Sequence, residues 1–352
     1  MRRALALGEE VRGQTSPNPW VGAVLVAGEQ TFEGATAPPG GPHAEVQALR
    51  AAGIKARGAT LYSTLEPCAS VGRTGPCAEA IVAAGVARVV VGIEDPDSRT
   101  RGRGLERLRQ AGIEVVSGVC ADQVAEALAP YLKHRRTGRP WVVLKLASTL
   151  DGRIAGPDGS SRWITGEEAR RDVHRLRAES DAILVGAGTV RADDPQLTVR
   201  LEGTTRQPLR VVLGRAPATA VVHPALELQG DLGGVLDELG ERGVLQLLVE
   251  GGARVAHAFH AARLVDRYVF YLAPALLGGS DGLAMFEGPG APSLAEAMRG
   301  MLVSVHRLGD DLKVELARES GSPDGPDQRG AVEDGAADGI ATAGPMSTDG
   351  GR

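Results

Sequence analysis

Short apolar runs alternate with segments of helical spacing along most of this 352-residue chain, and this alternation restricts its fold. Runs at residues 21–26, 60–65 and 88–93 have the length and β-branched content of strands. Between them, residues 43–52 and 77–84 have helical spacing, and each segment stops at a glycine, as helices commonly do. Strands and helices that alternate in this way pack as layers, so the pattern predicts an α/β fold.

A polar stretch divides the chain, and the same alternation resumes beyond it. Residues 135–140 read RRTGRP, a mixture of charge, glycine and proline that is typical of a domain boundary. We therefore predict one domain over residues 1–138 and a second α/β domain over residues 139–318. Residues 319–352 contain almost no apolar bulk, so they cannot bury enough surface to offset chain entropy. This composition predicts a disordered tail.

Composition argues against several function classes. Lys and Arg total 39 against 44 Asp and Glu, so the net charge of −5 provides no positive field for nucleic acid. Three cysteines are too few for a disulfide framework, and no apolar run approaches the roughly 18 residues of a membrane span. Glu9 and Glu10 interrupt any signal-peptide apolar region. We expect a cytoplasmic protein with reduced thiols, no nucleic-acid partner and no membrane partner.

Four residues of the first half have the chemistry of a zinc deaminase. His43 and Glu45 lie at a predicted helix start, Cys68 follows a predicted strand, and Cys77 opens another predicted helix. One imidazole and two thiolates suit tetrahedral zinc and leave a fourth position for water, whose pKa the metal lowers. Glu45 can take a proton from that water and pass it to a leaving amine. His-x-Glu followed by Pro-Cys and a second Cys is the signature of zinc deaminases, in which the glutamate is not a ligand.

The spacing of the two cysteines separates this chain from the nucleic-acid editing enzymes. Those enzymes have a Cys-x-x-Cys step, whereas eight residues, 69–76, separate Cys68 from Cys77. A proline precedes each cysteine, and we expect both thiols at helix N-termini, where the helix dipole favours the thiolate. A loop inserted beside a metal is a natural place for substrate contacts. Cys120 has no such setting and is predicted to be a core residue.

The second half has glycine-rich turns after strands but no dinucleotide-binding fingerprint. No Gly-x-Gly-x-x-Gly follows its first strand. Residues 185–189 (VGAGT) and 249–253 (VEGGA) each connect a predicted strand end to the next segment, where small residues let backbone N–H groups approach a phosphate. Both turns follow strand C-terminal ends, the edge at which open α/β sheets bind ligands. Taken alone, each turn is also compatible with an ordinary connection.

Motifs in both halves follow one another in the order of a known family. The first half contains TSPNPWVG at 15–22, HAE at 43–45, LEPC at 65–68 and GRTGPC at 72–77. The second half contains KLASTLDGR at 145–153, SRWIT at 161–165, RLRA at 175–178, DDPQLTVR at 193–200 and VEGG at 249–252. From residue 1 to about residue 318, the chain resembles the bifunctional riboflavin-biosynthesis deaminase/reductases. The resemblance implies an N-terminal cytidine-deaminase-like three-layer domain followed by a dihydrofolate-reductase-like domain.

The resemblance also implies two consecutive reactions. The first domain would remove the 2-amino group of 2,5-diamino-6-ribosylamino-4(3H)-pyrimidinone 5′-phosphate with Zn²⁺ and release ammonia. The second domain would reduce the ribosyl side chain to ribityl with NADPH, to which the protein contributes orientation and electrostatics. The implied partner is therefore a small phosphorylated pyrimidine, and we also expect a homo-oligomer.

Residue roles carry over from the family position by position. The implied catalytic residues are Glu45, Lys145, Asp193 and Glu250. The implied cofactor contacts are Ala147, Trp163, Thr189, Asp193, Gly252, Ala253, Arg254, Val255, Ala256, His257 and Ala258. The implied substrate contacts are Asn18, Arg73, Ser161, Arg177, Leu197, Arg200 and Glu250. Arg177 and Arg200 suit a phosphate group, because a guanidinium can bind oxyanions bidentately.

The chain departs from the family pattern at several contact positions. Thr36, Ser70 and Val71 stand where the family usually has histidines. The family's Asp-Pro-Asn-Pro is Asp-Pro-Asp-Ser at 95–98, and residues 213–232, which include Gly-Arg at 214–215 in place of Asp-Ser, form a shorter segment. The departures concern the recognition of the substrate and part of the cofactor wall, and none affects the predicted zinc ligands.

These departures leave three alternatives beside the bifunctional enzyme. The chain could be a deaminase of a related pyrimidine, with or without an active reductase. It could also be a reductase whose zinc domain is structural. A nucleic-acid editing protein is the third alternative, and the net charge of −5 together with the lack of interleaved basic and aromatic residues counts against it.

Overall fold

The computed structural model of this chain describes residues 1–69, 75–204 and 206–318. The predictions for Ser70, Val71 and Arg73, and for the tail over 319–352, lie outside these described residues. Within the described part of the chain, no helix combines the length and the apolar character needed to cross a membrane.

The first half of the chain forms a five-stranded mixed sheet. Its strands are β1 (Gly22–Ala27), β2 (Gln30–Ala35), β3 (Thr60–Leu65), β4 (Arg88–Ile93) and β5 (Glu114–Ser117). Its helices are α1 (Arg2–Glu10), α2 (Ala44–Ala52), α3 (Cys77–Ala84), α4 (Arg103–Gln110), α5 (Ala121–Ala127) and α6 (Ala129–Thr137), with a 3-10 turn at Gly53–Ala56. The strand order is β2-β1-β3-β4-β5, and β3, β4 and β5 are parallel while β1 is antiparallel to both of its neighbours.

Alternate side chains of the first sheet pack against helices on opposite faces, which makes three layers. Leu25 and Leu61 are buried in the core that α2, α3 and α4 cover. Val24 faces the other way and packs against Ala4 and Leu7 of α1. Strand residues alternate between the two faces with a period of two, so one strand contributes to both cores. The predicted three-layer arrangement is confirmed.

The predicted strands and helices of the first half coincide with observed ones, but β2, α1, α5 and α6 were not predicted. The weakly apolar β2 is not apparent from sequence, because QTFEGA forms an exposed edge strand that needs little apolar surface. Residues 135–137, the first part of the polar stretch predicted as a domain boundary, form the end of α6. Tertiary contacts stabilise that helix, since Lys133 binds Asp266 at 2.5 Å and His134 Nε2 lies 3.0 Å from the Gly240 carbonyl oxygen.

The second half forms an eight-stranded sheet. Its strands are β6 (Trp141–Thr149), β8 (Ala182–Gly186), β9 (Leu209–Leu213), β10 (Leu226–Leu228), β11 (Gln246–Val249), β12 (Arg267–Ala273), β14 (Gly300–Leu308) and β15 (Asp311–Arg318). Strands β7 (Arg153–Ala155) and β13 (Leu283–Ala284) pair separately. The helices are α7 (Glu167–Glu179), α8 (Ala187–Asp193), α9 (Leu232–Glu241) and α10 (Ala253–Ala261). The order is β10-β9-β8-β11-β6-β12-β15-β14, parallel as far as β12 and antiparallel beyond it.

Helices cover both faces of the parallel part of this sheet. Ile183 and Leu248 pack in a core with α7 and α8, whereas Leu184 and Leu247 pack in a second core with α9 and α10. A parallel sheet buried on both faces requires nearly continuous apolar strands, which explains why its runs are recognisable in the sequence. The turns after β8 and β11 lie at the same carboxyl-terminal edge of the sheet, as predicted.

Besides the contacts of α6, the loop that follows α1 joins the two halves. The Arg206 Nη1 atom donates a hydrogen bond of 2.9 Å to the Gly13 carbonyl oxygen, and Arg12 Nη2 donates one of 2.9 Å to Gln246 Oε1. Gly13 has a φ of +78°, and an added Cβ would lie 2.2 Å from the Ala178 carbonyl oxygen. The loop therefore rests directly on the end of α7.

Candidate active sites

Three side chains of the first half converge as a cluster of metal donors. His43 is the N-cap of α2, Cys77 is the first residue of α3, and Cys68 lies beyond the end of β3. The His43 Nδ1 atom is 3.3 Å from Cys77 Sγ and 3.6 Å from Cys68 Sγ. Tetrahedral zinc with these donors needs nitrogen–sulfur separations of about 3.6 Å. The spacing and chemistry of the donors therefore fit zinc, and no other such group of three was found among the described residues.

A close approach between α2 and β2 brings His43 to this position. An added Cβ on Gly34 of β2 would lie 2.2 Å from the Ala44 carbonyl oxygen and 2.7 Å from the Ala48 nitrogen. Only a residue without a side chain lets the first turn of the helix lie this close to the strand. Gly34 therefore determines where the turn that carries His43 and Glu45 is placed.

Glu45 is a buried carboxyl group beside the metal donors and is not one of them. Its residue is only 3% exposed, and burial raises the pKa of its carboxyl group to about 7, with Cys68 adding to the rise. Hydrogen bonding to Cys77 lowers the pKa of the Cys68 thiol, and His43 lowers it further. A carboxyl group that titrates near neutrality can both accept and return a proton. This geometry suits the acid–base role predicted for Glu45.

The prediction that both thiols lie at helix N-termini is wrong for one of them. Cys77 opens α3, but Cys68 lies in a segment, residues 66–69, without regular secondary structure. Strand β3 ends at Leu65, and residues 66–69, which follow it, do not form a helical turn. Cys120 is half-buried at the N-terminus of α5 rather than in the core, so that prediction is also wrong.

Two first-half contact positions have visible structural surroundings. Thr36 is buried, and its Oγ1 accepts from the Val21 nitrogen at 3.2 Å and lies 3.3 Å from the Val21 carbonyl oxygen. Thr36 therefore joins the end of β2 to the start of β1. Asn18 lies in the loop after α1, where its carbonyl oxygen accepts a 3.0 Å hydrogen bond from Thr15 Oγ1.

A cavity of about 1130 Å³ opens at the carboxyl-terminal edge of the second sheet. The predicted residues that line it are Lys145, Ala147, Ser161, Trp163, Arg177, Thr189, Asp193, Leu197, Arg200, Glu250, Gly252, Ala253, Arg254 and Val255. Thr189 Oγ1 accepts a 3.1 Å hydrogen bond from the Gly252 nitrogen and so connects the two glycine-rich turns. One cavity thus collects side chains from five separated sequence motifs.

Three predicted cofactor contacts do not line this cavity. Ala256 is fully buried in the core beneath α10, and His257 and Ala258 follow it on the same helix. The helix begins at Ala253, so the first turn reaches the cavity and the next turn leads away from it. The cofactor role of Ala256, His257 and Ala258 stays a prediction.

A buried ion pair, formed by Arg177 and Glu250, lines the cavity. Arg177 Nε and Nη2 donate to the two oxygens of Glu250 at 2.6 and 2.9 Å, and Arg177 Nη1 donates to the Thr198 carbonyl oxygen at 3.0 Å. Burial opposes ionisation of Glu250, yet Arg177 and Lys145 outweigh it and lower the pKa of this carboxyl group. Burial also lowers the pKa of Lys145, and Glu250 partly opposes that shift. In this structure Arg177 binds Glu250 and Thr198, and its role as a phosphate partner stays a prediction.

Two residues that line the cavity near the predicted contact Trp163 were not identified from the sequence. Trp163 is 69% exposed, and the Arg170 guanidinium carbon lies 4.8 Å from its ring centroid. Arg170 and His174 line the cavity together with Arg177. These three residues lie four and then three positions apart on α7, which is the spacing of one helix face. That spacing was the signal that could have identified Arg170 and His174.

The fold and the two sites define a zinc-dependent deaminase domain joined to an α/β reductase domain. The family model described as the cytidine and deoxycytidylate deaminase zinc-binding region matches residues 1–93. A second model, described as the RibD C-terminal domain, matches residues 140–314.

Relatives of known identity match across both halves. The riboflavin biosynthesis protein RibD of Escherichia coli K12 is 41% identical, in an alignment that covers 90% of this chain and 98% of the relative. The solved structure of Acinetobacter baumannii RibD has a TM-score of 0.85 and 40% identity, covering 91% of this chain and 98% of that one. A Thermotoga maritima structure has a TM-score of 0.82 and 34% identity, covering 90% and 97%. The chain belongs to the RibD family of bifunctional riboflavin-biosynthesis proteins.

This membership confirms the predicted family, fold class and combination of enzymatic activities. The deaminase half belongs to a zinc-binding type, and its His and Cys cluster supplies the donors. The reductase half belongs to a domain family that uses NADPH.

Proposed function

We propose that this chain catalyses two consecutive steps of riboflavin biosynthesis on one phosphorylated pyrimidine. Domain 1–138 would deaminate 2,5-diamino-6-ribosylamino-4(3H)-pyrimidinone 5′-phosphate, and domain 139–318 would reduce the ribosyl chain of the product. The proposal depends above all on one observation, that zinc donors surround the buried Glu45 in one half while Lys145 and Glu250 line a large cavity in the other. The Thermotoga maritima protein is described as a diaminohydroxyphosphoribosylaminopyrimidine deaminase and 5-amino-6-(5-phosphoribosylamino)uracil reductase, which supports it.

The deamination step assigns proton transfer to Glu45. His43, Cys68 and Cys77 would hold Zn²⁺, which lowers the pKa of water and so makes a nucleophile available near neutral pH. Glu45 takes a proton from the water whose oxygen adds to ring carbon 2. Glu45 then passes this proton to the 2-amino group, the carbon–nitrogen bond breaks and ammonia leaves. The second proton of the water ends on the ring nitrogen that was double-bonded to carbon 2, so that carbon 2 becomes a carbonyl. The burial of Glu45, with a pKa near 7, suits both of its transfers.

The reduction step assigns proton donation to the second cavity. NADPH supplies a hydride for C1′ of the ribosyl group when it is bound. The C1′–O4′ bond breaks, and O4′ takes a proton, which yields the open ribityl chain. Lys145 is the proposed proton donor because burial lowers its pKa. Glu250, held by Arg177, supports the charged form of Lys145, and Asp193 lines the same space.

The remaining contacts divide between the cofactor and the substrate. We assign Ala147, Trp163, Thr189, Asp193 and residues 252–258 to the cofactor, of which 252–255 line the cavity. Ser161, Leu197 and Arg200 are assigned to the ribosyl phosphate. Arg200 is the proposed phosphate partner, since it is exposed and, among the described residues, its guanidinium contacts Gln196 at 3.4 Å. Asn18 and Arg73 are assigned to the deaminase substrate.

A coupled assay tests the proposed function. The zinc-loaded protein would be incubated with the diaminopyrimidinone ribosyl phosphate and NADPH, and ammonia and NADPH oxidation would be followed together. Ammonia release that precedes NADPH oxidation supports the proposal. Absence of ammonia from zinc-loaded protein would reject this substrate and favour a related pyrimidine. If NADPH is oxidised only when the deaminated substrate is supplied, and the diamino substrate releases no ammonia, the result would instead favour a reductase with a structural zinc domain.

The edge of the second sheet supports a homo-oligomer. Strand β14 is an edge strand, and Met301, Leu302 and Val305 on it are 59%, 59% and 50% exposed. An exposed apolar edge strand is a ready surface for pairing with another chain, and we propose a second copy of this chain. Sedimentation should give a dimer or larger assembly for the native protein and a smaller species for Met301→Lys. A native monomer at micromolar concentration would exclude the assembly.

We also propose that the protein works in the cytoplasm. All three cysteines are free thiols, which is the state that a reducing compartment maintains and that zinc binding by Cys68 and Cys77 requires. Fractionation of cells that express the protein would test this location.

A further inference from the structure

Cys68 is the metal donor whose position is least constrained by its own secondary structure. His43 and Cys77 stand at the first turns of α2 and α3. Cys68 belongs to the irregular residues 66–69 that follow β3. Its backbone carbonyl accepts a hydrogen bond from the Ala78 nitrogen at 3.1 Å, and its sulfur accepts one from the Cys77 nitrogen at 3.4 Å. Both contacts come from the first turn of α3, so on the side of β3 the position of Cys68 depends on the contacts made by its neighbours Glu66 and Pro67.

Glu66 accepts four backbone hydrogen bonds through one buried carboxylate. Its Oε1 accepts from the nitrogens of Gly104 at 2.9 Å and Leu105 at 3.4 Å, and its Oε2 accepts from those of Gly102 at 3.0 Å and Asp95 at 3.2 Å. Glu66 is 3% exposed, so these bonds lie out of contact with water. Each oxygen thus has two N–H donors, and the carboxylate joins the end of β3 to the start of α4.

Helix α4 has no capping side chain of its own. Its N-cap is Gly102, with a φ of +72°, and no local side chain bonds the free N–H groups of the first turn. The carboxylate of Glu66 satisfies these groups from 36 to 39 positions away in the sequence. The positive end of the helix dipole also favours an anion at this point. Glu66 and α4 therefore depend on each other for their positions.

A second contact ties the same helix to the next residue. An added Cβ on Gly104 would lie 1.9 Å from the Pro67 carbonyl oxygen, so α4 rests directly on that peptide group. The two residues before Cys68 are thus both held by α4, one through its side chain and one through its backbone. We infer that Glu66 is a positioning residue of the metal centre, which with Gly104 fixes the segment that carries Cys68. The inference rests on the zinc site and is independent of which pyrimidine the enzyme takes.

The substitution Glu66→Gln tests this role with little change of shape. An amide offers one acceptor oxygen, and its NH₂ group would face two N–H donors whichever way it is turned. Two buried donors then lose their partner, and the segment before Cys68 is released. Glu106→Gln is the matched control, because Glu106 is exposed in the first turn of the same helix and, in the described part of the chain, accepts a 3.2 Å hydrogen bond from Gln110.

The measurements report on the metal centre rather than on turnover. Zinc release to an excess of a chromogenic chelator should be about 10–100-fold faster for Glu66→Gln than for the native protein, as is typical when a group that supports a metal ligand is removed. In the cobalt-loaded protein, the thiolate-to-cobalt absorption per metal should fall, since Cys68 contributes less. Glu106→Gln should match the native protein in both measurements. Native release rate and cobalt spectrum in a folded Glu66→Gln protein would overturn the inference.

A measurement on the native protein covers the case in which Glu66→Gln does not fold. Coupling between two parts of a molecule is reciprocal, so removal of zinc should weaken what holds α4. Hydrogen exchange at the amides of Asp95, Gly102, Gly104 and Leu105 should therefore be faster in metal-free than in zinc-loaded protein. Exchange along β15 should not change, since it belongs to the other sheet. Equal exchange at the four amides in both states would contradict the inference, whereas failure of the native protein to bind zinc would contradict the proposed function itself.

Discussion

At the scale of single residues, burial decides what the charged groups of this protein can do. Glu45 has a pKa raised to about 7 because it is buried beside a thiol, although it lies only two positions from His43 in the sequence. Glu250 is buried as well, but Arg177 lowers its pKa. The pKa values of these two buried glutamates are therefore shifted in opposite directions. The zinc-deaminase signature identified Glu45 and the family resemblance identified Glu250, but only their neighbours in space set their ionisation.

Replacing Glu45 should separate metal binding from catalysis. In Glu45→Gln we expect ammonia release to fall about 10²–10⁴-fold, because proton transfer to and from the reacting groups is lost. Zinc content should remain at the native level, since Glu45 is not one of the three donors. Metal analysis and an ammonia assay on the same sample check both parts. Loss of zinc with the activity would mean that Glu45 serves as a ligand.

Replacing Arg177 should leave a buried charge without its partner. Arg177→Met is expected to lower the free energy of unfolding by about 3–5 kcal/mol, because Glu250 loses a bidentate ion pair whose side chains are 13% and 8% exposed. Arg175→Met is the control on the same helix, with a side chain 61% exposed, and should change stability by at most about 0.5 kcal/mol. Denaturant unfolding monitored at the second domain gives both values. Equal stability of the two variants would refute the structural weight given to this pair.

At the scale of elements, the contact between α2 and β2 sets the position of the metal donor His43, although the sequence of β2 gives little sign of a strand. The apolar runs that form β1 and β4 are recognisable because buried strands need continuous apolar residues. Strand β2 and the exposed edge strand β14 were not predicted, since the sheet's hydrogen bonds rather than burial determine them. The zinc donors depend on β2 nonetheless, because Gly34 lies beneath the first turn of α2.

A methyl group at Gly34 should displace that turn. In Gly34→Ala the added Cβ would meet backbone atoms of α2 at 2.2 and 2.7 Å, so the helix start must move away from the strand. We expect a loss of about 1–3 kcal/mol in stability from overpacking and weaker zinc binding from the shift of His43. Gly28→Ala in the same hairpin has open space around it and a φ of +61°, so it should cost about 1–2 kcal/mol and leave zinc affinity unchanged. Competition with a chelator distinguishes the two, and equal zinc affinities would disprove the placement argument.

At the scale of the whole molecule, two sheets with separate cores divide the two reactions. The metal donors belong to the first sheet's helices and strand ends, and the large cavity belongs to the second sheet. The halves are in contact at the loop after α1, where Arg206 of the second half binds Gly13, and at α6, where Lys133 binds Asp266. Because each half has its own core, a loss of stability in one half need not unfold the other.

Removal of zinc should therefore affect the two activities unequally. Chelation is expected to abolish ammonia release and to lower the thermal stability of the first domain, because its bound metal stabilises the folded state by mass action. NADPH oxidation with deaminated substrate should persist, since the cavity around Lys145 and Glu250 contains no metal donor from the cluster. Calorimetry and parallel assays before and after chelation, with zinc returned as the control, measure this. Loss of both activities on chelation would show that the domains do not act separately.

The sequence by itself determined the layered α/β class and the zinc donors His43, Cys68 and Cys77 with Glu45, whereas the reductase half was predicted from the family resemblance. It could do so because periodicity follows from burial and metal chemistry permits few residue types. Tertiary structure alone decided that Arg177 binds Glu250, that Thr36 joins two strands, and that Glu66 holds the start of α4. Those contacts join residues that are 73, 15 and 38 positions apart. No local pattern encodes them, because hydrogen-bond partners are selected only when the packed elements bring them within reach.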